Sequence, residues 1–433
     1  MPAAIRGGHD SKAEVMEIFP ENHVISFTDG TECTVKEYLG SIGSRYFYTV
    51  RCGYSEYRLV WDTNPALYGI LAELCRRGAP GNGFEWPLAV TDMNEAGFGY
   101  MMVMMPDGYV SIAEFLVSRV RFMTPELMLS ACAGIIGSFR TLHERGLCYH
   151  NVDTQSICVN PSNGDVFVRN PEYISQIGAR PVFVHAPYIT PLELRKNGPA
   201  DQWSDCFTLA YVLFVVIYGI SPFAGRLCYE YVQDSMADKA YVFIMDPDDE
   251  RNRVPFNFEL LKKKWATSPD VLRNAFVRAF SREAIHEPQK RISVAEWENI
   301  FTQTKFQCVS CPECGRSTFI DITDGQSECM MCGKHVARFS LLKIGTYEIP
   351  LLPGQSLEYG HIHQESRDSR PYATVLAHPQ QPDKWGLRNM SEEEWAATLD
   401  DGTVKTVPPG KIMPVNLNIK VSFTSDAVGE IVY

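Results

Sequence analysis

Two Cys-x-x-Cys pairs constrain this chain more than any other local feature. They read Cys311-Pro312-Glu313-Cys314-Gly315 and Cys329-Met330-Met331-Cys332-Gly333, with 14 residues between them. Four thiolates at this spacing can close a tetrahedral site, and a closed four-sulfur site is the usual geometry of structural zinc. Glycine after each second cysteine permits a tight turn that aims backbone N–H groups at sulfur. A redox dithiol is the alternative reading, but no strand–helix–strand pattern surrounds either pair. Cys308 and His335 lie close by as spare ligands.

The pairs also mark a change in organisation. At 433 residues the chain exceeds one ordinary domain. Residues 1–22 read as a lead-in. Residues 23–105 are rich in strand patterns, interrupted by one helical stretch in which Leu67, Ile70, Leu71 and Leu74 recur at helical spacing. From 106 to 304 helices dominate: Ser111–Ser118, Pro125–Leu142, Trp203–Tyr218, Leu260–Trp265, Pro269–Phe280 and Ser293–Phe301, the last with a capping box of Ser293 and Glu296. The cysteine module occupies 305–336. Short strands separated by Pro, Gly and Asp turns fill 337–433, which predicts a small all-β domain.

Charge and hydropathy narrow the function classes. A net charge of -12 argues against general nucleic-acid binding, which needs cations to neutralise phosphates. The longest apolar run, Leu209–Ile220, is too short to span a bilayer and reads as a buried helix. The first residues carry no apolar signal region, so a cytoplasmic location is expected, with the 13 cysteines as thiols or metal ligands.

One stretch carries a candidate site. Arg145 to Asn170 predicts a polar loop after a helix, a strand at Ile157–Val159, a turn at Pro161–Gly164 and a second strand at Val166–Val168. This layout resembles the catalytic and metal loops of protein kinases, and the resemblance covers about residues 23–304. It implies an α+β, bilobal protein-kinase-like fold. Phosphoryl transfer in that family needs clamped phosphates, a held metal and a base near the attacking hydroxyl.

Those chemical groups are replaced here. The glycine-rich loop falls on Leu39–Arg45, where Gly40 is kept and Gly43 lies nearby. Ile42 and Arg45 stand where further glycines belong. Val60 replaces the strand lysine, and Glu73 stands on the following helix as that lysine's partner. Asn151 replaces the base aspartate, Ser156 the metal-binding asparagine and Asn170 the metal aspartate. An amide cannot accept a proton as a carboxylate does, a loss of roughly 10²–10⁴ in rate. Magnesium prefers anionic oxygens, so binding of ATP with magnesium is not expected. Arg58, Asp153 and Glu172 are the groups that could do relocated work; Asp165 reads as a hairpin-turn residue. The resemblance is better kept in the scaffold. Glu193, after Thr190-Pro191-Leu192, matches the glutamate that closes the activation segment. Arg291 matches its partner, and Asp205 the aspartate that opens the large buried helix.

A narrower resemblance rests on Val242–Arg253, Arg77-Gly78-Ala79-Pro80 with Trp86-Pro87-Leu88, Lys290-Arg291 to Trp297, and the cysteine module. These are similar to bacterial kinases of the tellurite-resistance-associated phosphorylation triad. That resemblance implies protein partners, a phosphatase or a von Willebrand factor A protein; the short apolar run, separately, implies no membrane. The 337–433 region, with Leu357–His361, Trp385–Asn389 and Asp401–Lys411, resembles a divergent forkhead-associated domain, with His361 in place of the phosphate-binding arginine. The expected protein is a catalytically impaired pseudokinase acting as scaffold or regulator, with a structural zinc ribbon. Two rivals stand beside it. One is an active atypical Ser/Thr kinase using relocated ligands; the other is a nucleic-acid binder using the ribbon.

Overall fold

The computed structural model describes residues 17–182, 189–227, 241–254, 258–322, 327–336, 339–363, 370–416 and 418–432. It is α+β and divides into two compact units. One runs to Asp107 and includes Phe167–Ser175; the other joins Gly108–Val166 to Gln176–Tyr433.

The first unit is built on a six-stranded sheet of order β1-β2-β3-β4-β6-β5. Its strands are β1 (Val24–Ser26), β2 (Glu32–Ile42), β3 (Arg45–Cys52), β4 (Ser55–Asp62), β5 (Pro87–Val90) and β6 (Phe98–Met102), and every pairing is antiparallel. Alternating side chains on one face (Val35, Tyr48, Val50, Leu59, Trp61 and Met101 among them) form its core. Ile42 pairs with Arg45, so Gly43-Ser44 is a two-residue hairpin turn. Gly43 takes φ +60 at the first turn position, which glycine tolerates without strain. The stretch that aligned with a phosphate loop is therefore mostly strand, with Gly40 at a bulge in β2. Helix α1 (Tyr68–Arg77) buries Leu71 and Leu74. A 3-10 turn, Pro65–Leu67, precedes it, capped by Asn64. β6 ends at Met102.

Five short strands come next in chain order: β7 (Val110–Ser111), β8 (Leu147–Tyr149), β9 (Ile157–Val159), β10 (Val166–Val168) and β11 (Ile174–Gln176). Within the second unit, helices α2 (Ile112–Leu116), α3 (Pro125–Glu144), α4 (Leu192–Arg195) and α5 (Gln202–Tyr218) are joined by helices at Glu259–Ala266, Asp270–Ala279, Arg282–His286 and Val294–Phe306. The element order, a sheet with one helix and then mostly helices, is the one the kinase resemblance implies. α5 is buried along Ser204–Tyr218, as a core helix should be. Asp201 caps it by accepting from Trp203 N and Ser204 N, and Gly219 ends it in the left-handed region. No helix among the described residues is long and apolar enough to cross a membrane.

The last of these helices departs from expectation. It runs to Phe306, beyond the predicted Phe301, because Phe306 is itself a core residue of the all-β region. Gln303 fastens it further, donating to Glu348 O at 2.6 Å and accepting from Glu348 N at 3.1 Å. Only half of the predicted capping box forms. Ser293 Oγ accepts from Glu296 N, while the Glu296 carboxylate pairs with Arg278.

After a small antiparallel hairpin of β12 (Cys308–Ser310) and β13 (Ser317–Phe319) comes the all-β part. Its strands are β14 (Ser340–Ile344), β15 (Tyr347–Leu351), β16 (Ser356–Glu358), β17 (Pro371–His378), β18 (Gln381–Asn389), β19 (Trp395–Thr398), β20 (Val404–Val407), β21 (Ile412–Pro414), β22 (Lys420–Ser422) and β23 (Val428–Val432). They form two sheets, β15-β14-β23-β22-β19-β20 and β16-β17-β18-β21. Leu342, Ile349 and Ile431 of the first sheet share one core with Leu357, Val375 and Leu387 of the second. Two sheets burying one apolar core satisfy the alternating pattern that the sequence displays.

Candidate functional site

The residues singled out from the sequence fall into separate groups, each inside one unit. In the first unit Val60 sits in β4, buried, and pairs across the sheet with Phe47 and Tyr100. An apolar side chain at this place is packing, with nothing to offer a phosphate. Arg58, two residues earlier, is engaged differently. Its Nη1 lies 3.2 Å from Glu85 Oε1, and Glu85 is buried.

Glu85 was not foreseen, yet it is the hub of this unit. Its other carboxylate oxygen accepts from Asn170 N at 3.2 Å and lies 3.4 Å from Arg169 Nε. The backbone explains the placement. Glu85 N donates to Val168 O at 2.7 Å, and Val168 N donates to Gly83 O at 2.8 Å. The 167–175 segment is thereby tied to the start of β5. The only signal in the sequence was a carboxylate between two aromatic residues, Phe84 and Trp86.

Asn170 takes φ 58, ψ 65 and caps the 3-10 turn Pro171–Tyr173. Asparagine enters this left-handed region more readily than most residues. Glu172 is buried and ion-paired with Arg45, the residue expected in place of a loop glycine. Burial raises the Glu172 carboxyl to about 7; Arg45 opposes the rise, and Glu85 and Asp62 add to it. Two candidate relocated groups, Arg58 and Glu172, thus each face an opposite charge. Glu73 does not reach this cluster; it pairs with Arg76 and Arg77 on its own helix.

In the second unit the loop after α3 is locked by local bonds. Asp153 Oδ1 accepts from Gln155 N at 2.7 Å and from Ser156 Oγ at 2.8 Å, while Ser156 Oγ accepts from Asp153 N at 3.0 Å. Asn151 and Ser156 are both buried. The carboxylate of Asp205, fully buried in the first turn of α5, receives Tyr149 N at 3.0 and 2.9 Å and His143 Nε2 at 2.9 Å. Burial raises the pKa of Asp205, and its His143 hydrogen bond works against the rise. One buried carboxylate thus holds the approach to the loop in place.

Glu193 and Arg291 meet in a two-pronged pair. Arg291 Nη1 lies 2.5 Å from Glu193 Oε1, and Nη2 lies 2.9 Å from Oε2. Arg291 also donates to the carbonyls of Ala284 and Trp203, both at 2.9 Å. The guanidinium is buried with its donors satisfied, the condition under which a buried ion pair is tolerated.

The four knuckle cysteines converge. Their sulfurs lie within 4.8 Å of one another, with Cys311–Cys332 at 3.8 Å and Cys314–Cys329 at 3.7 Å. A tetrahedral ion with sulfur at about 2.3 Å sets sulfur–sulfur distances near ~3.8 Å, so the donor set fits such a metal. Gly315 and Gly333 both take φ 68, and their N–H groups bond back to Cys311 O and Cys329 O. The two spare ligands stay outside: Cys308 is buried in β12, and exposed His335 faces Glu328.

His361 does not occupy an open binding loop. It lies buried in a short helix, Tyr359–Ile362, with Nδ1 accepting from Glu358 N at 2.8 Å and its ring 4.4 Å from that of Phe306. Burial lowers its pKa to about 4, so it carries no positive charge for a phosphate near neutral pH. The acidic loop at 246–250 is a turn, with Asp246 Oδ1 accepting from Asp248 N and Asp249 N.

No family model matches the chain. Over 144 residues it is 24% identical to serine/threonine-protein kinase PknL of Mycobacterium tuberculosis (strain ATCC 25618 / H37Rv) and to the protein of that name in Mycobacterium bovis (strain ATCC BAA-935 / AF2122/97). That stretch covers 32% of this chain and 35% of each relative, so the match spans about a third of the curated relatives' length. Among solved structures, the chain is similar to the Mycobacterium tuberculosis PknI kinase domain (13% identity, 66% of this chain and 100% of that one, TM-score 0.43). It is also similar to vaccinia related kinase 3 (11% identity, 66% of this chain and 90% of that one, TM-score 0.44).

Proposed function

We propose that this is a protein-kinase-like protein of impaired catalysis, a pseudokinase that works as a scaffold or regulator in bacterial phospho-signalling. The observation that carries the reading is the state of Asp153. It is the carboxylate nearest in sequence to Asn151, the expected base position, and it accepts from Gln155 N and Ser156 Oγ. Val60, Asn151 and Asn170 add no ammonium or carboxylate at their own places. The scaffold pairs Glu193–Arg291 and Asp205–Tyr149 N support the retention of a kinase-like frame. The likeness to PknL is consistent with this frame.

The remaining parts of the reading are proposals of the same standing. Zinc is the ion we assign to the four cysteines, on the fit of their sulfur spacing. The two-sheet domain serves as a forkhead-associated-like docking module without phosphopeptide binding, a reading supported by the burial of His361. Partners are a phosphatase or a von Willebrand factor A protein, in the cytoplasm.

A second reading has one observation in its favour. Arg58 on β4 and buried Glu85 form a cation–carboxylate pair near the place where a kinase uses lysine and glutamate. An atypical active Ser/Thr kinase would use Arg58 as its phosphate clamp. Thermal shift with ATP, alone and with magnesium or manganese, separates the two. The pseudokinase reading expects no metal-dependent stabilisation and no phosphate transfer. Transfer that is lost in Arg58→Ala or Asp153→Ala would sink it.

A further inference from the structure

A cavity of about 690 Å³ lies wholly within the second unit, between the helical region and the cysteine hairpin. That volume is in the range of sites for small organic ligands. Phe115, Phe122, Met128, Ile217, Phe319 and Met330 give it an apolar body. Met123 and Met331 are exposed at 86% and 53%, leaving flexible, polarisable side chains at the surface of this site.

Its charge is one-sided. Arg121, Lys264 and Arg316 line the cavity and no aspartate or glutamate does, in a chain whose net charge is -12. None of these three cations forms a salt bridge among the described residues. Glu126 accepts from Ser317 and lines a different cavity. Lys264 is half-buried, with Nζ 3.4 Å from Ile217 O. Its pKa is lowered by burial and by the nearby charge of Arg121. Two cations repel each other beside an apolar space, and an anion between them would relieve both the repulsion and the desolvation.

We propose that this cavity binds a small anionic amphiphile, a carboxylate head between Arg121 and Lys264 with an apolar body along the phenylalanine and methionine side chains. The concave volume favours a small molecule over a peptide laid on a surface. The assignment is independent of whether the chain transfers phosphate.

Isothermal titration of the full, metal-loaded chain with dodecanoate and with dodecanol tests it. One-to-one binding is expected, with the carboxylate tighter by about tenfold, the value of a charge-assisted contact. Arg121→Gln/Lys264→Gln should erase that preference while leaving alcohol binding in place, and Met331→Trp should weaken both ligands. Far-ultraviolet circular dichroism checks that the variants fold. Equal affinity for acid and alcohol, a preference unchanged in the double variant, or many-site binding would overturn the proposal. Tighter binding of an acidic, leucine-rich peptide than of dodecanoate would also overturn it, by assigning the cavity to a protein partner.

Discussion

The two units handle buried charge in opposite ways. In the second, Arg291 meets Glu193 through two prongs and directs its other donors to carbonyls, while Asp205 is filled by Tyr149 N and His143. In the first, Glu85 is shared among Arg58, Arg169 and Asn170 N at 3.2 to 3.4 Å, and Glu172 sits buried beside further carboxylates with a raised pKa. A two-pronged pair with matched geometry fixes a fold. A cluster shared at longer distances depends on several neighbours at once, and that is where a ligand or a change of pH has leverage.

The largest effect that bears on this contrast lies outside both clusters and sets its scale. Removal of the proposed zinc, by chelation or by Cys311→Ser/Cys329→Ser, should unfold the hairpin around β12 and β13. Structural zinc contributes about 10–16 kcal/mol of apparent binding energy in small modules. One zinc per chain by elemental analysis, lost in the variant together with thermal stability, is the expected result. A metal-free wild type of unchanged melting temperature would break the assignment.

Next comes Arg291→Ala, which leaves Glu193 and its carbonyl acceptors without their donor. Losing one partner of a buried pair costs about 3–5 kcal/mol. Urea denaturation should show this loss. In the first unit, Arg58→Ala should cost less, about 1–3 kcal/mol, because Arg169 and Asn170 N remain on Glu85. Equal costs for the two variants would erase the distinction between a matched pair and a shared cluster.

The smallest effect is a pH slope. The folded chain holds the Glu172 proton up to about 7, whereas an unfolded glutamate releases it near 4.5. The folded state therefore binds more protons across that window. This contribution to stability is fully present below about 4.5 and is lost as pH rises through about 7. Glu172→Gln should flatten this part of the stability profile, read by denaturation at a series of pH values. An unchanged slope would place the ionised form of Glu172 in the folded state and make Arg45–Glu172 a matched pair as well.

Much of the frame was legible in the sequence for definite reasons. Apolar spacing found α1, α3 and α5, since an amphipathic or wholly apolar period admits few alternatives. The knuckle spacing brought four sulfurs to one point because two tight glycine turns leave little freedom. The end of the last helix was missed, since Phe306 belongs to a core formed with strands far along the chain. Glu85 was missed for the same kind of reason. Its partners Arg58, Arg169 and Asn170 come from β4 and from a segment more than eighty residues on, and no local pattern records such a meeting.

The order of residues settles which chemical groups the chain carries. On the kinase resemblance, valine, asparagine and serine are expected where phosphoryl transfer needs lysine and metal- or proton-binding groups, and four thiols stand at a spacing that suits a tetrahedral metal. What the other charged groups do was settled by folding. It committed Asp153 to its own turn, supplied Arg58 and Glu172 with partners of opposite charge, buried His361, and gathered Arg121, Lys264 and Arg316 around one apolar cavity. Chemical identity is a property of each residue, whereas charge balance and burial depend on neighbours that come together only in three dimensions.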